Sequence, residues 1–326
     1  MRRREFISLL GGAAAWPITA RAQQPAMPVV GFLSSRSPGE SSGVLAAFYQ
    51  GLREAGFIEG KNVLIAFRWA EGRYDRLPAL AADLIGLPVT ALFTAGGAPA
   101  ALAAKAATST IPIVFSAVNE PVQLGLVASL SRPGGNVTGM STFAAEFWAK
   151  SAELLKELVP TAIVIAYLMN PSSPSAERYL SGAAIAASTL GIDVRVLNAG
   201  TEQELESVFA TLPNLRAGGL VVPNEPFLDS QRVKIVALSA RYAVPAVYSL
   251  REYAAAGGLL SYGFNLPDSY RRAGIYLGRV LKGEKPADLP LQQPEKFELV
   301  INLKAAKALG LSVPHSLLSR ADELIY

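Results

Sequence analysis

Residues 89–121 read VTALFTAGGAPAALAAKAATSTIPIVFSAVNEP. VTALFTAGG and IPIVFSAVNEP are short apolar runs, read as buried strands. The alanine-rich APAALAAKAATST between them reads as a helix. Strand, helix and strand in that order form the unit from which parallel, doubly wound sheets are built.

The same alternation extends in both directions. Upstream, PVVGFLSS (28–35) is a strand, residues 41–55 a helix ended by Gly56, and NVLIAFRWA (62–70) a strand. YDRLPALAADLIG (74–86) sets Leu77, Leu80, Ala81 and Leu84 at helical spacing. Downstream, EFWAKSAELLKELVP (146–160) puts Trp148, Ala152, Leu155 and Val159 on one stripe, closed by Pro160. The rhythm then restarts: AIVIAYLMNP is a strand, 175–190 a helix stopped by Gly191, and DVRVLNA, GGLVVPN and PAVYS are strands. The opening at 28–69 recurs as pattern at 163–199, which predicts two similar lobes. Roughly 300 residues exceed one comfortable core, in agreement.

The last part breaks the rhythm. GLLSYGFN is a strand, and PDSYRRAGIYLGRVLKGEKP a helix with Tyr270, Ala273, Leu277 and Val280 inward. FELVINLKAAKALGL is a late strand and helix. A helix returning to the first lobe and a tail returning to the second give several crossings, hence a hinge. The expected lobes are 28–142 plus 262–288, and 143–261 plus 289–326.

In open parallel sheets, ligands sit beyond the carboxyl ends of strands. The residues there are Ser34-Ser35-Arg36, Thr94-Ala95-Gly96-Gly97 and Ser116 through Asn119-Glu120-Pro121. The second half supplies Asn170-Pro171, Pro223-Asn224-Glu225-Pro226 and Tyr248-Ser249. Gly96-Gly97 before a helix lets backbone N–H groups approach a carboxylate, aided by the helix N-terminus. Glu120 or Glu225 could pair with an ammonium, and Tyr248 and Tyr262 could stack on a ring or pack an apolar tail. The candidate ligand-binding set is Ser34, Ser35, Arg36, Thr94, Gly96, Gly97, Asn119, Glu120, Asn170, Asn224, Glu225, Tyr248 and Tyr262, suited to a small zwitterion or carboxylate. Taken one at a time, such residues are also ordinary turn and cap chemistry.

Other chemistry lacks material. There is no cysteine, and His315 is the only histidine, so thiol catalysis, histidine triads and zinc sites are not expected. GGNVTG spaces two glycines as a P-loop does, but Met140 follows where lysine is required. No cofactor or metal is expected. Carboxylate-only catalysis stays open, because Asp and Glu are plentiful.

The chain opens MRRREFISLLGGAAAWPITARAQQ. A basic head, an apolar run too short for a span of about 20 residues, and Ala20-Arg21-Ala22 give the order of a cleaved export signal at 1–22. The paired arginines with Glu5, Phe6 and Ile7 resemble a twin-arginine signal, with the general route as alternative. This segment holds four Arg and one Glu, three of the net charge of +4. The remaining body is near neutral, and no nucleic-acid partner is expected. The expected location is the periplasm. Without cysteine, the exported body must be held by its core alone.

Three strings carry a family resemblance: GLREAGFIEGKNVLIAFRWAEGRYDRLPALAADL, AAKAATSTIPIVFSAVNEPVQLGLVASLSRPGGNVTG and KFELVINLKAAKALGLSVPHSLLSRADELI. They resemble ABC-transporter substrate-binding proteins of the tryptophan/tyrosine type. The resemblance implies the type I periplasmic binding protein fold: α/β, two Rossmann-like lobes joined by a three-crossing hinge that closes on ligand. It implies aromatic amino acids as the ligand class, and permease and ATPase subunits in the inner membrane as partners, with the chain a monomer or weak dimer. Where many relatives show Gly/Asp-Asp-Pro-Val, this chain has Asn119-Glu120-Pro121-Val122, whose longer Glu places the charge differently. The readings from other classes are a secreted carboxylate-dependent hydrolase on the same fold, and a sensory binding protein serving a receptor kinase.

Overall fold

A computed structural model describes residues 27–142 and 145–326. The expected export segment, 1–22, lies outside the described residues.

The first half runs β1 (Val29–Ser34), α1 (Ser42–Glu54), β2 (Leu64–Trp69), α2 (Leu77–Ile85), β3 (Ala91–Ala95), α3 (Ala98–Ala107), β4 (Ile113–Asn119) and β5 (Val137–Thr142). Next come α4 (Ala145–Leu158), β6 (Val164–Met169), α5 (Ala176–Leu190), β7 (Asp193–Asn198), α6 (Glu202–Phe209), α7 (Leu212–Leu215) and β8 (Gly219–Val222). They are followed by α8 (Pro226–Ser230), α9 (Arg232–Arg241), β9 (Ala246–Tyr248), α10 (Arg251–Ala255) and β10 (Leu260–Gly263). The chain ends with α11 (Leu266–Leu281), β11 (Glu298–Asn302), α12 (Leu303–Ala308), α13 (His315–Leu318) and β12 (Glu323–Ile325).

Five parallel strands form one sheet, in the order β2-β1-β3-β4-β5. Its central strands are buried along nearly their whole length because helices cover both faces. Alternate residues serve the two faces: Val30, Phe32 and Phe93 join the core on the side of α1 and α11, and Leu33, Leu92 and Phe115 the core on the side of α2 and α3. Phe32 lies 5.1 Å from Phe93 and 5.4 Å from Phe48, ring centre to ring centre. Truncating such a fully buried ring costs about 3–5 kcal/mol. The expected stripe on α11 is buried: Tyr270, Ala273, Leu277 and Val280. Its backbone lies against α1, since a Cβ on Gly51 would meet the Arg271 carbonyl oxygen at 1.9 Å. A Cβ on Gly274 would meet that of Phe48 at 2.5 Å. The two glycines fasten α11 to the first lobe.

The second sheet has seven strands, β12-β11-β10-β9-β8-β6-β7, parallel except for the antiparallel β10–β11 pair. From its far edge, β7-β6-β8-β9-β10 repeats the order of the first sheet, so the recurrence read in the sequence is one of topology. α4 and α5 pack on one face through Trp148, Leu155, Tyr167 and Tyr179. Leu205, Phe209 and Ile235 of α6 and α9 cover the other.

The chain passes between sheets after Thr142, after Gly263 and after Gln292. This differs by a few residues from the expected boundaries at 262 and 289. Tyr262 and Gly263 are held in the second sheet by pairing with Leu299 and Glu298. Gln292 stays with the first because it accepts from Ser141 N and donates to the Gly139 carbonyl, at 2.8 and 3.2 Å. Three crossings at one end leave the carboxyl ends of the two sheets facing each other across a cleft.

Candidate functional site

The first lobe brings the ends of β1, β3 and β4 to the cleft. Arg36 follows β1 and is 5% exposed. Its Nη2 lies 2.7 Å from Asp229 Oδ2 of the opposite lobe, and its Nε is buried with no protein partner. Burial opposes the guanidinium charge, but Asp229, then Tyr270, Glu252 and Glu40, hold it above its ordinary value. After β3 the backbone turns through Gly96 and Gly97, both with φ near +78° (77 and 78), and Gly97 opens α3. Gly97 also has ψ −160°, a combination that side chains resist. The turn aims the N-terminus of α3 into the cleft, where its free N–H groups favour an anion. Gly96 N donates to Tyr270 OH at 3.2 Å.

A polar compartment of about 420 Å³, part of it open to solvent, occupies this place. Arg36, Gly97 and Asn119 face Ser173, Ser175 and Asn224 across it. An aromatic compartment of about 290 Å³, part of it likewise open to solvent, adjoins it, lined by Phe147, Trp148, Tyr179, Phe264 and Phe297 with Ser249. The two share Asn119, Tyr179 and Asn224, which form a neck. A hydrogen-bond chain fixes the neck across the lobes. Thr142 Oγ1 donates to Asn119 Oδ1, Asn119 Nδ2 to Tyr179 OH at 3.0 Å, and Tyr179 OH to the Asn224 carbonyl at 3.1 Å. Trp148 is set by stacking on Tyr167, with centroids 4.7 Å apart.

Behind the cavities the lobes meet through further pairs. Glu225 is fully buried, caps α8 by accepting from Leu228 N at 3.0 Å, and accepts from Asn170 Nδ2 at 3.1 Å. Its Oε1 also accepts from Tyr74 OH of the first lobe at 2.5 Å, and the same phenol oxygen accepts from Phe227 N at 3.2 Å. Burial raises the Glu225 carboxyl above its usual range, against the pull of these hydrogen bonds. Burial pushes Asp229 up to about 7; Arg36 opposes the shift and Glu225 adds to it. Glu120, at φ 49°, pairs with Arg178 at 2.8 Å.

Several candidates therefore sit elsewhere than expected. Glu120 and Glu225 do not line either compartment; they are engaged with Arg178 and with Tyr74 and Asn170. Asn170 is buried beneath the cleft, its Oδ1 accepting from Ser172 N. Tyr248 points into the core, stacked on Tyr253 at 4.7 Å, because the alternation of β9 turns it away from the cleft. Tyr262 stacks on Phe297 at 5.4 Å and lies behind the aromatic compartment rather than on its wall. Ser34, Ser35 and Thr94 form the buried floor, with Ser35 Oγ donating to the Gly96 carbonyl at 2.5 Å. Arg36, Gly96, Gly97, Asn119 and Asn224 do line the cleft.

The aromatic wall lies beyond the candidate strand-end positions. Its signal is positional: Phe147, Phe264 and Phe297 each stand beside one of the three crossings. The antiparallel β11 brings Phe297 to the cleft end because its start, not its finish, lies beside Gly263. Among the described residues, no group of three or more His, Cys, Asp or Glu could hold a metal ion.

The sequence model of the ABC transporter substrate binding protein family matches residues 40–325. The chain belongs to that family. It is a substrate-binding component of the type I periplasmic binding fold, and the family is one of binding proteins rather than enzymes. A tyrosine-binding protein of Clostridioides difficile is 27% identical over 264 residues, covering 81% of this chain and 75% of the relative. A crystal structure from Streptococcus pneumonia, solved in complex with L-Trp, is 27% identical with a TM-score of 0.84, over 91% of this chain and 99% of the other. A ligand-free, open structure of a Clostridium difficile substrate binding protein with adhesive properties matches over the same shares, 91% and 99%, at 25% identity, with a TM-score of 0.66.

Proposed function

We propose that this substrate-binding protein captures an aromatic amino acid outside the cytoplasm and delivers it to an ABC permease. The observation that carries the reading is the pair of joined compartments, one polar with a cation and a helix N-terminus, the other walled by aromatic rings. The ligand carboxylate lies against Arg36 Nε and the first N–H groups of α3. The ammonium takes neck oxygens, the Asn224 carbonyl and the Asn119 amide oxygen. The ring enters among Phe147, Trp148, Phe264 and Phe297, where stacked or edge contacts add about 0.5–1.5 kcal/mol per pair beyond burial. The ligands named for the tyrosine-binding relative and for the L-Trp complex support this class.

A ligand touching both lobes binds the closed state better and shifts the population toward it. The cross-lobe pairs support reading the present arrangement as the closed one, as does its closer fit to the ligand-bound relative than to the ligand-free, open one. The site works by binding and release, with no bond-making step. The partners are an inner-membrane permease and its ATPase, and the exported chain acts as a monomer or weak dimer. Among the described residues no helix is long and apolar enough to cross a membrane. Delivery to the periplasm rests on the 1–22 signal.

Calorimetric titration with all twenty amino acids tests the reading. L-Trp or L-Tyr should bind at micromolar concentration or tighter. Binding confined to aliphatic or acidic amino acids would refute it.

A further inference from the structure

The aromatic compartment is not lined by hydrocarbon alone. Ser249 stands on its wall, 3% exposed, and its Oγ is buried without a hydrogen-bond partner. Of the other polar side chains there, Asn119 and Tyr179 are bonded to each other. Leaving a buried hydroxyl unpaired costs on the order of 1–3 kcal/mol, so such a group calls for a partner. The geometry of β9 says which way it faces. Side chains alternate along a strand, so Ser249 shares a face with Val247, and Val247 packs in the same core as Phe147 and Trp148. Tyr248, between them, goes to the opposite face.

Its position along the sheet is equally specific. The neck residue Asn224 follows β8, Ser249 follows β9, and Gly263 ends β10, three neighbouring strands. Ser249 is therefore on the strand next to the one that leads into the neck, about 4.8 Å across from the level of Pro223, the residue before Asn224. That is within the reach of an aromatic side chain whose amino-acid head is held at the neck.

We infer that Ser249 is a specificity-determining residue, its hydroxyl pairing with a hydrogen-bonding group on the ligand ring. The ligand class is thereby narrowed to aromatic amino acids with a polar ring, a phenol or an indole, over the unsubstituted phenyl ring. The inference rests on the aromatic amino-acid reading above. A pocket built to hydrogen-bond a ligand group rejects the analogue lacking it, because the pocket's own group is then left buried and unpaired.

The test is calorimetric titration of the wild type and Ser249→Ala with L-Tyr, L-Trp and L-Phe, each variant checked for folding by thermal melt. The wild type should bind the better of L-Tyr and L-Trp at least about tenfold tighter than L-Phe. In Ser249→Ala the ratio should fall to about threefold or less, through weaker binding of the polar-ring ligand with L-Phe nearly unchanged. Ser249→Thr, which keeps the hydroxyl, should retain the wild-type ratio if it melts as wild type does. A wild type that does not discriminate, or a ratio unaltered in Ser249→Ala, overturns the role of Ser249 while leaving an aromatic amino-acid receptor. If none of the three binds, the aromatic reading itself falls, and this inference with it.

Discussion

Replacing Tyr74 by phenylalanine removes one oxygen atom and isolates the contribution of lobe-to-lobe contact. In the closed arrangement that hydroxyl donates to Glu225 Oε1 at 2.5 Å and accepts from Phe227 N at 3.2 Å, both across the cleft. It lines neither compartment, so no ligand contact is altered. In an open arrangement the phenol returns to water, and its removal is nearly neutral. The loss therefore falls on the closed state alone. A hydrogen bond to a charged group is worth about 1.5–3 kcal/mol, and about 1.4 kcal/mol is a factor of ten in affinity. Tyr74→Phe should weaken amino-acid binding by roughly 10- to 100-fold. Most of the change should appear as faster release, since the bound, closed complex is what loses the contact. Titration calorimetry gives the affinity, stopped-flow fluorescence the release rate, and small-angle scattering the contraction at saturating ligand. An affinity within twofold of wild type would refute the reasoning, since the cross-lobe phenol would then contribute nothing to closure.

Three further outcomes are expected. Glu225 is raised by burial and Asp229 is pushed up to about 7 in the closed arrangement, whereas solvent returns both toward about 4 on opening. The closed form thus binds more protons, and affinity should be highest near pH 4, fall as pH rises toward 7 and level off above it; titration calorimetry showing affinity rising over that window would contradict the sign. Gly97→Ala places a side chain at φ 78°, ψ −160° and 3.4 Å from Pro226 Cγ of the other lobe, so denaturant unfolding should show a loss of about 1–3 kcal/mol, with weaker binding alongside. Unfolding indistinguishable from wild type would contradict the strain. N-terminal sequencing of exported protein should begin at Gln23, and a mature chain that starts at Met1 would remove the export reading.

Much of the fold was legible because buried parallel strands leave unbroken apolar runs. VVGFLS, ALFTA and IVFSAVN became β1, β3 and β4 with nearly the expected bounds. The carboxyl-end rule also selects Arg36, Gly96, Gly97, Asn119 and Asn224, which line the polar compartment. It failed where one residue of parity decides between core and cleft. Tyr248 and Ser249 stand together at the end of β9, and the larger side chain is the more obvious ligand contact, although the alternation sends it inward. The acidic candidates failed for a different reason. A sequence shows that Glu225 follows a strand, but not that Tyr74, 151 residues earlier, comes across to meet it. The aromatic wall was hidden because Phe147, Phe264 and Phe297 converge only when three separate crossings are brought side by side.

Arg36–Asp229, Tyr74–Glu225 and Glu120–Arg178 join the lobes with atoms of the protein itself. Their contribution does not depend on what fills the aromatic compartment, which none of these residues lines. Evolution can therefore recut the aromatic wall or the position of Ser249 without rebuilding the clasp. An engineer can do the same. A reporter dye that registers the spacing of the two lobes would give one optical signal for a whole series of redesigned pockets, calibrated once against the same mechanical stroke.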